Sequence, residues 1–427
     1  MMSRNLARFL YTYLIFPGIF IGAHILSVFS ANIRRGLLPR YQSLKRLELW
    51  VKQNKPGKKI VLIHAASLGE FEHVKPLLHH FKNDYATTNI VTFFSPSGYL
   101  HVKAYDYLDF YIYMPFDTRS SWKIVYQLLA PALIIVAKHD VWPQQIWTAR
   151  DLKIPIFLIN ASLAENSTRT KPLIKNFLNS VYNDFTQIYP ISEEDKQRFN
   201  IHYPGCYVQI MGDTKYDQVV LRKQAAEKQN LLSERWCKGK FILVAGSTWP
   251  EDEEHLFPAL RELLIKYEFI KLILIPHQPD EKALKAQKEC FKDWEICLFS
   301  ARDELREQRV LITDAVGYLA GLYLYARLAY VGGSFRQGVH NVMEPAIFGI
   351  PVLYGPVHKN SYEAIKLAEN NGGVIVRNKE DILRWLDVFI QDADLCKEFG
   401  EKAEDFARCN TGATNRLLAG WKEILSK

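Results

Sequence analysis

Residues 60–70 read IVLIHAASLGE and residues 331–345 read VGGSFRQGVHNVMEP. Each stretch leaves a short apolar run for small residues and then an acid. A continuous apolar run of that length is a strand covered on both faces. Ser67 is placed to cap a helix opening behind the first run, with Gly69 and Glu70 in its first turn.

Working outward, the same strand, turn and helix pattern recurs along most of the chain. Before the polar, lysine-rich stretch 218–240, strands are expected at 60–66, 89–95, 132–138, 154–160, 186–192 and 207–212. Beyond it they are expected at 241–247, 271–276, 309–313, 328–332 and 351–355. Helices fit 71–82, 143–151, 251–266, 280–290, 342–348 and 361–370, and the last fifty residues also read as helical. Apolar strands alternating with helices make a parallel sheet with helices on both faces. The expected fold is therefore α/β, with two Rossmann-like doubly wound domains facing a cleft. The predicted division is 34–222 and 223–427, after an N-terminal segment 1–33. Ligands of such sheets bind beyond the carboxyl ends of the strands.

The 427 residues exceed one ordinary core. The net charge is +8, but residues 1–59 alone hold eleven Lys or Arg against one acid, Glu48. The basic excess therefore flanks the apolar run 9–33 and not the folded domains, which speaks for an anionic membrane surface and against nucleic acid. That run has no charged residue, and at about 1.5 Å per residue it is long enough for a roughly 30 Å hydrocarbon layer. Pro17, Gly18 and His24 interrupt it. A transmembrane span, a helix lying in the interface and a cleaved signal peptide all fit, although Arg34 and Arg35 after a long run disfavour the last. Basic residues on both sides place the bulk of the chain in the cytoplasm. The six scattered cysteines form no CxxC pair, which suits a reduced compartment.

The candidate site residues lie just after strands. Glu70 reads either as a capping carboxylate or as a general base acting on an acceptor hydroxyl. Ser67 and Gly69 accompany it. In the second half, Ser247 and Thr248 precede a helix whose acidic first turn, 251–254, opposes a close phosphate. His277 sits in a loop stiffened by Pro276 and Pro279. Gly332, Gly333 and Ser334 form a turn that lets a phosphate approach the backbone. His340, Asn341 and Glu344 follow, and Glu344 suits two ribose hydroxyls. Asn360 closes the next strand and faces the same cleft. There is no P-loop, no HExxH, no nucleophile elbow and no histidine cluster with metal-ligand spacing.

In order along nearly the whole chain, these motifs resemble the Kdo transferases of lipopolysaccharide assembly, which are GT-B glycosyltransferases. His64–Glu70 is similar to the family's His-Ala-x-Ser-x-Gly-Glu, whose Glu is the proposed base. Asp140–Pro143, Asn160–Leu163 and Gly212–Asp217 resemble further family segments, as do Gly246–Thr248, Val331–Ser334 and His340–Pro345. Lys138, Ser162, His277 and Tyr318 depart from the pattern; at His277 the family has an Arg. The resemblance also implies that Lys138 and Asp140 lie on the acceptor side and Gly317 on the donor side. The resemblance implies inverting transfer of Kdo from CMP-Kdo to a lipid A precursor without a metal or other cofactor. It places the catalytic domains at the cytoplasmic face of the inner membrane. Another GT-B enzyme, such as a lipid glycosyltransferase or an epimerase, and a membrane-anchored nucleotide-sugar-binding protein without catalysis are the alternatives.

Overall fold

The computed structural model describes residues 2–102 and 105–426. The chain divides into two compact units. One comprises Met1–Gln218 together with the segment from Gly412 on, and the other Val219–Thr411.

The first unit is built on six parallel strands: β1 (Ile60–Ala65), β2 (Thr88–Phe93), β3 (Phe110–Tyr113), β4 (Leu133–Ala137), β5 (Ile156–Ala161) and β6 (Gln187–Pro190). Their order is β3-β2-β1-β4-β5-β6. The chain winds outward from β1 in one direction, returns at β4 and winds outward in the other. The switch point therefore lies between β1 and β4, which pair directly from Val61 with Leu133 to His64 with Val136. Alternate residues of these strands enter different cores, as the two-residue period demands. Leu62, Ile134 and Val136 pack with Trp122 and Trp147. Val61, Ile63 and Ile135 pack with Phe71, Leu77 and Trp421 on the other face.

Trp421 explains the chain's return. It is fully buried in the first unit's core, with Phe157 5.0 Å away, centroid to centroid. Truncating such a residue costs roughly 3–5 kcal/mol. Asp217 fixes the entry of this terminal helix (Ala413–Ser426) by accepting from the amides of Gly412 and Thr414, both at 2.6 Å. The division thus differs from the sequence reading, which assigned the whole of 223–427 to the second domain.

The second unit holds β7 (Phe241–Thr248), β8 (Ile270–Pro276), β9 (Ile296–Leu298), β10 (Val310–Ile312), β11 (Leu328–Val331), β12 (Val352–Tyr354) and β13 (Gly373–Ile375). Their order is β13-β12-β11-β7-β8-β10-β9, all parallel. Here the switch point lies between β7 and β11. The strand expected at 207–212 is absent: only Val208 bridges to Ile188, at the free edge beside β6.

One apolar helix opens the chain, from Arg4 to Phe29. A π-helical turn at Tyr11–Ile15 precedes Pro17, whose missing N–H breaks the regular ladder. One face of this helix is fastened to the first unit. Arg4 pairs with Asp184 at 2.7 Å and Arg8 with Asp151 at 2.9 Å. The Tyr11 hydroxyl donates to Asp117 at 2.7 Å, and Gln144 donates to the Thr12 hydroxyl at 2.7 Å. His24 lies 2.7 Å from the Tyr41 hydroxyl. Asp117 is buried and also accepts from the Trp122 indole and from the amides of Gln144 and Gln145, so it caps the helix Pro143–Asp151 as well. Burial outweighs these hydrogen bonds and pushes its carboxyl up to about 6. The opposite helix face exposes Phe9, Leu14, Ile21, Ile25, Val28 and Phe29.

The second switch point is held by Asp252, which is fully buried. It accepts from the amides of Trp249 (2.9 Å), Gly333 (2.7 Å) and Ser334 (3.1 Å) and from the Tyr330 hydroxyl (2.9 Å). One carboxylate thereby caps the helix Pro250–Lys266 and closes the turn after β11. Asp252→Ala strands these donors in a dry interior and is expected to cost ~3 kcal/mol or more. Thermal unfolding measures it, and a loss below ~1 kcal/mol would show that the turn holds without the carboxylate.

Candidate functional site

At the first switch point, β1 delivers His64 and then the Ser67-capped helix Leu68–Tyr85. Ser67 Oγ accepts from the Glu70 amide at 3.4 Å, while Glu70 Oε2 accepts from the Ala66 amide at 2.6 Å. This arrangement is close to a capping box. Glu70 is 8% exposed and takes part in no ion pair among the described residues. The capping reading describes one oxygen, which holds the turn, and the carboxylate sits at the carboxyl end of β1. Gly69 is exposed, and a Cβ there would meet nothing nearer than Ser67 Oγ at 3.8 Å. No contact within the fold requires a glycine at this position.

From β4 comes Lys138, in a left-handed conformation (φ 59°), and then Asp140. His64 is fully buried and bridges the switch point, with Nε2 2.8 Å from Asp140 Oδ2 and Nδ1 2.8 Å from the Thr92 hydroxyl. Burial would raise the Asp140 pKa, but the His64 hydrogen bond and the Arg40 charge outweigh it and keep the carboxyl below its usual value. An ionised carboxylate only accepts, so the hydrogen of that bridge belongs to His64 Nε2. Asp140 therefore orients β1 against β4, and Glu70 is the carboxylate here that touches neither a histidine nor a cation. At the end of β5, Asn160 (φ 50°) binds Thr214 through both side-chain atoms. Beside it, His73 and Lys215 outweigh burial and hold the Asp213 carboxyl down at about 2. Ser162, another departure from the family pattern, accepts through its carbonyl from Arg169 at 2.6 Å.

In the second unit the donor candidates surround the β7/β11 switch point. A Cβ on Gly332 would fall 2.2 Å from the Ser247 carbonyl oxygen, so this crossing of two backbones requires glycine. The Gly333 and Ser334 amides are committed to Asp252, and Ser334 is fully buried. The expected phosphate contact at this turn is thus limited to shape. Three of the four acids after Thr248 are likewise engaged within the fold, Asp252 as described and two more. Glu251 accepts from Arg336 and Gln337, and Glu253 accepts from Thr248 and Gln287. This accounts for an acidic first turn beside a candidate anion site.

Three rings stack at the same edge: Trp249 on His277 (4.5 Å between centroids) and His277 on His340 (4.6 Å, 8° between planes). The Trp249 indole N–H donates to His340 Nε2 at 2.9 Å, which requires that nitrogen to be unprotonated. Burial lowers both histidine pKa values. The residue standing where the family has Arg is therefore a neutral ring in a stack.

Asn341 is exposed; its carbonyl oxygen accepts from the Met343 amide and its amide donates to Glu344 at 3.3 Å. Glu344, 8% exposed in the short helix Met343–Ala346, is also paired with Arg222. Asn360 donates to the Val339 carbonyl at 3.1 Å and packs against Gly338. Gly317 has φ 98° in an exposed turn. Sequence reasoning missed Trp249, Asp252 and Arg222 as parts of this arrangement. Asp252 carried a signal, being the third helical residue after Trp249, where a capping carboxylate belongs. Arg222 carried none.

The family described as 3-deoxy-D-manno-octulosonic-acid transferase (kdotransferase) matches residues 39–218. A 3-deoxy-D-manno-octulosonic acid transferase of Haemophilus influenzae is 29% identical, covering 98% of this chain and 99% of its own length. The transferase of that name from Aquifex aeolicus is 29% identical over 84% of this chain and 93% of its own. Among solved structures, the UDP-GlcNAc 2-epimerase of Neisseria meningitidis bound to UDP-GlcNAc superposes with a TM-score of 0.59 at 13% identity, covering 86% of this chain and 100% of its own; that likeness concerns the fold alone. With two parallel-sheet units and a relative matched from end to end, the chain is similar to the Kdo transferases, glycosyltransferases of the GT-B type.

Proposed function

We propose that this transferase moves Kdo from CMP-Kdo to a hydroxyl of a lipid A precursor, with Glu70 as general base. The observation that carries the reading is the state of Glu70: held by one oxygen at the carboxyl end of β1 and outside any ion pair among the described residues. Glu70 takes the proton of the acceptor hydroxyl as its oxygen attacks the anomeric carbon of Kdo. The bond from that carbon to the phosphate oxygen breaks on the opposite face, and CMP departs with the electron pair.

On the donor side, Glu344 and Asn341 are suited to the ribose. Ser247, Thr248, Gly317, Gly332 and Gly333 shape the backbone around the nucleotide, and Ser334 and Asn360 support the loops. With the turn amides committed to Asp252, His277 and His340 offer neutral rings to the base or the phosphate. Ser67, Gly69, Lys138 and Asp140 border the acceptor.

The helix Arg4–Phe29 meets the first unit from Arg4 to His24, about 30 Å of its length. If it crossed the bilayer, Asp117, Asp151 and Asp184 would lie at hydrocarbon depth, where carboxylates are strongly disfavoured. The helix is better accommodated in the plane of the interface, apolar face down, with the chain on the cytoplasmic side of the inner membrane.

Incubation with CMP-Kdo and a tetraacylated lipid A precursor is expected to raise the acceptor mass by one or more Kdo units; an unchanged mass would refute the reading. Glu70→Gln is expected to lower kcat by about two to four orders of magnitude with CMP-Kdo affinity retained; near-normal turnover would remove Glu70 as the base. Glu344→Ala is expected to weaken CMP binding about 10- to 100-fold, the loss of charged hydrogen bonds to the ribose; unchanged affinity in a titration would exclude that role. A cysteine at position 3, introduced by Ser3→Cys, is expected to react with an impermeant thiol reagent only from the cytoplasmic side of sealed vesicles; labelling from the opposite side would mean that the helix spans.

A further inference from the structure

Beneath the N-terminal helix the first unit contains a cavity of about 330 Å³, within the range of ligand pockets. Phe16, Phe20 and Ala23 of the helix form one wall, Ile33 and Gly36 a second, and Phe94, Phe116 and Trp142 a third. Two charged groups reach it, and both are satisfied within the fold. Asp117 accepts four hydrogen bonds. Arg40 donates to the carbonyls of Gly36, Met114 and Phe94 and lies over the Phe94 ring at 4.3 Å. A ligand here meets apolar surface and gains little from polar atoms, so hydrocarbon suits it.

Three further observations say which hydrocarbon. The helix that roofs the cavity exposes its other face as an apolar surface. Exposed Arg34 and Arg35 follow Ile33 directly, a position suited to anionic groups. The third wall belongs to the reaction edge: the Ser95 amide donates to the Ala66 carbonyl at 2.7 Å, and the Ala66 amide is the group that Glu70 holds. A chain in this cavity is thereby continuous at one side with a lipid surface and at the other with the candidate base.

We infer that the cavity seats one acyl chain of the lipid acceptor and so registers the acceptor's headgroup against Glu70. This rests on the lipid-linked acceptor proposed above. The site selects an acylated, anionic glycolipid over the same sugar without chains.

The test fills the cavity with Ala23→Phe, and independently with Ile33→Trp, each checked for an unchanged melting temperature. Initial rates are measured on the tetraacylated precursor in detergent and on its fully deacylated headgroup. The expected result is a KM for the acylated acceptor raised about tenfold or more, as burial of a few methylenes is lost. kcat, the KM for CMP-Kdo and kcat/KM on the deacylated headgroup stay within about twofold, the scatter expected of a substitution remote from the chemistry. An equal loss on both acceptors, or no loss on either, overturns the inference. A second readout needs no turnover. A tetraacylated precursor with a diazirine at one chain end is expected to label peptides containing Ile33 or Phe116 in the wild type and not in Ala23→Phe. Equal labelling by a phosphatidylglycerol carrying the same diazirine assigns the cavity to bulk lipid and overturns it. Labelling without transfer to any acceptor would refute the transferase reading and leave the acyl seat supported.

Discussion

The buried carboxylate of Asp252 is the constraint around which the second unit's functional edge is arranged. Two parallel strands that diverge at a switch point leave backbone amides at their ends with no ladder partner. Asp252 takes up the amides of Gly333 and Ser334 together with the helix-start amide of Trp249 and the Tyr330 hydroxyl. The turn can then lie so close to β7 that Gly332 has no room for a side chain against the Ser247 carbonyl. The stack of Trp249, His277 and His340 stands on the same frame, since Trp249 is tied to Asp252 through its amide and to His340 through its indole.

The first unit treats its switch point differently. A hydrogen-bonded pair, His64 with Asp140, joins β1 to β4 across the gap, and Glu70 closes the turn with one oxygen only. A fully engaged carboxylate such as Asp252 is a structural element; a carboxylate committed through one oxygen can also accept a proton. A carboxylate at the third helical position after the first strand of each sheet is thus engaged to different extents, set by the number of donors the fold aims at it.

The amphipathic character of the N-terminal helix is a matter of docking and not of its sequence. Its polar residues are few, but Arg4, Arg8, Tyr11, Thr12 and His24 all find partners on the first unit. The apolar remainder is left exposed. Asp117 links this docking to the helix Pro143–Asp151 and therefore to the segment that carries Asp140 and Trp142. The docking of the first helix and the segment after β4 share one buried group.

The continuous apolar runs by themselves determined the long central strands, because β1, β4, β5, β7 and β8 are covered on both faces and have no polar alternation to confuse their period. The capping residues likewise marked where helices begin, and the motifs set Glu70 in the first turn of the helix after β1 and Glu344 in that of the helix after β11. Three of the four edge strands escaped, β3, β9 and β13, each short and at the margin of its sheet, and 207–212 has the composition of a strand but only Val208 pairs. Tertiary structure alone decided that the last helix returns to the first unit, since Trp421 fits a pocket lined by residues more than two hundred positions away. It alone decided that the Gly333 and Ser334 amides face Asp252, that Arg222 pairs with Glu344 and that the first helix lies along a folded face. Each of these depends on contacts between groups distant in the chain, whose energies no local pattern encodes.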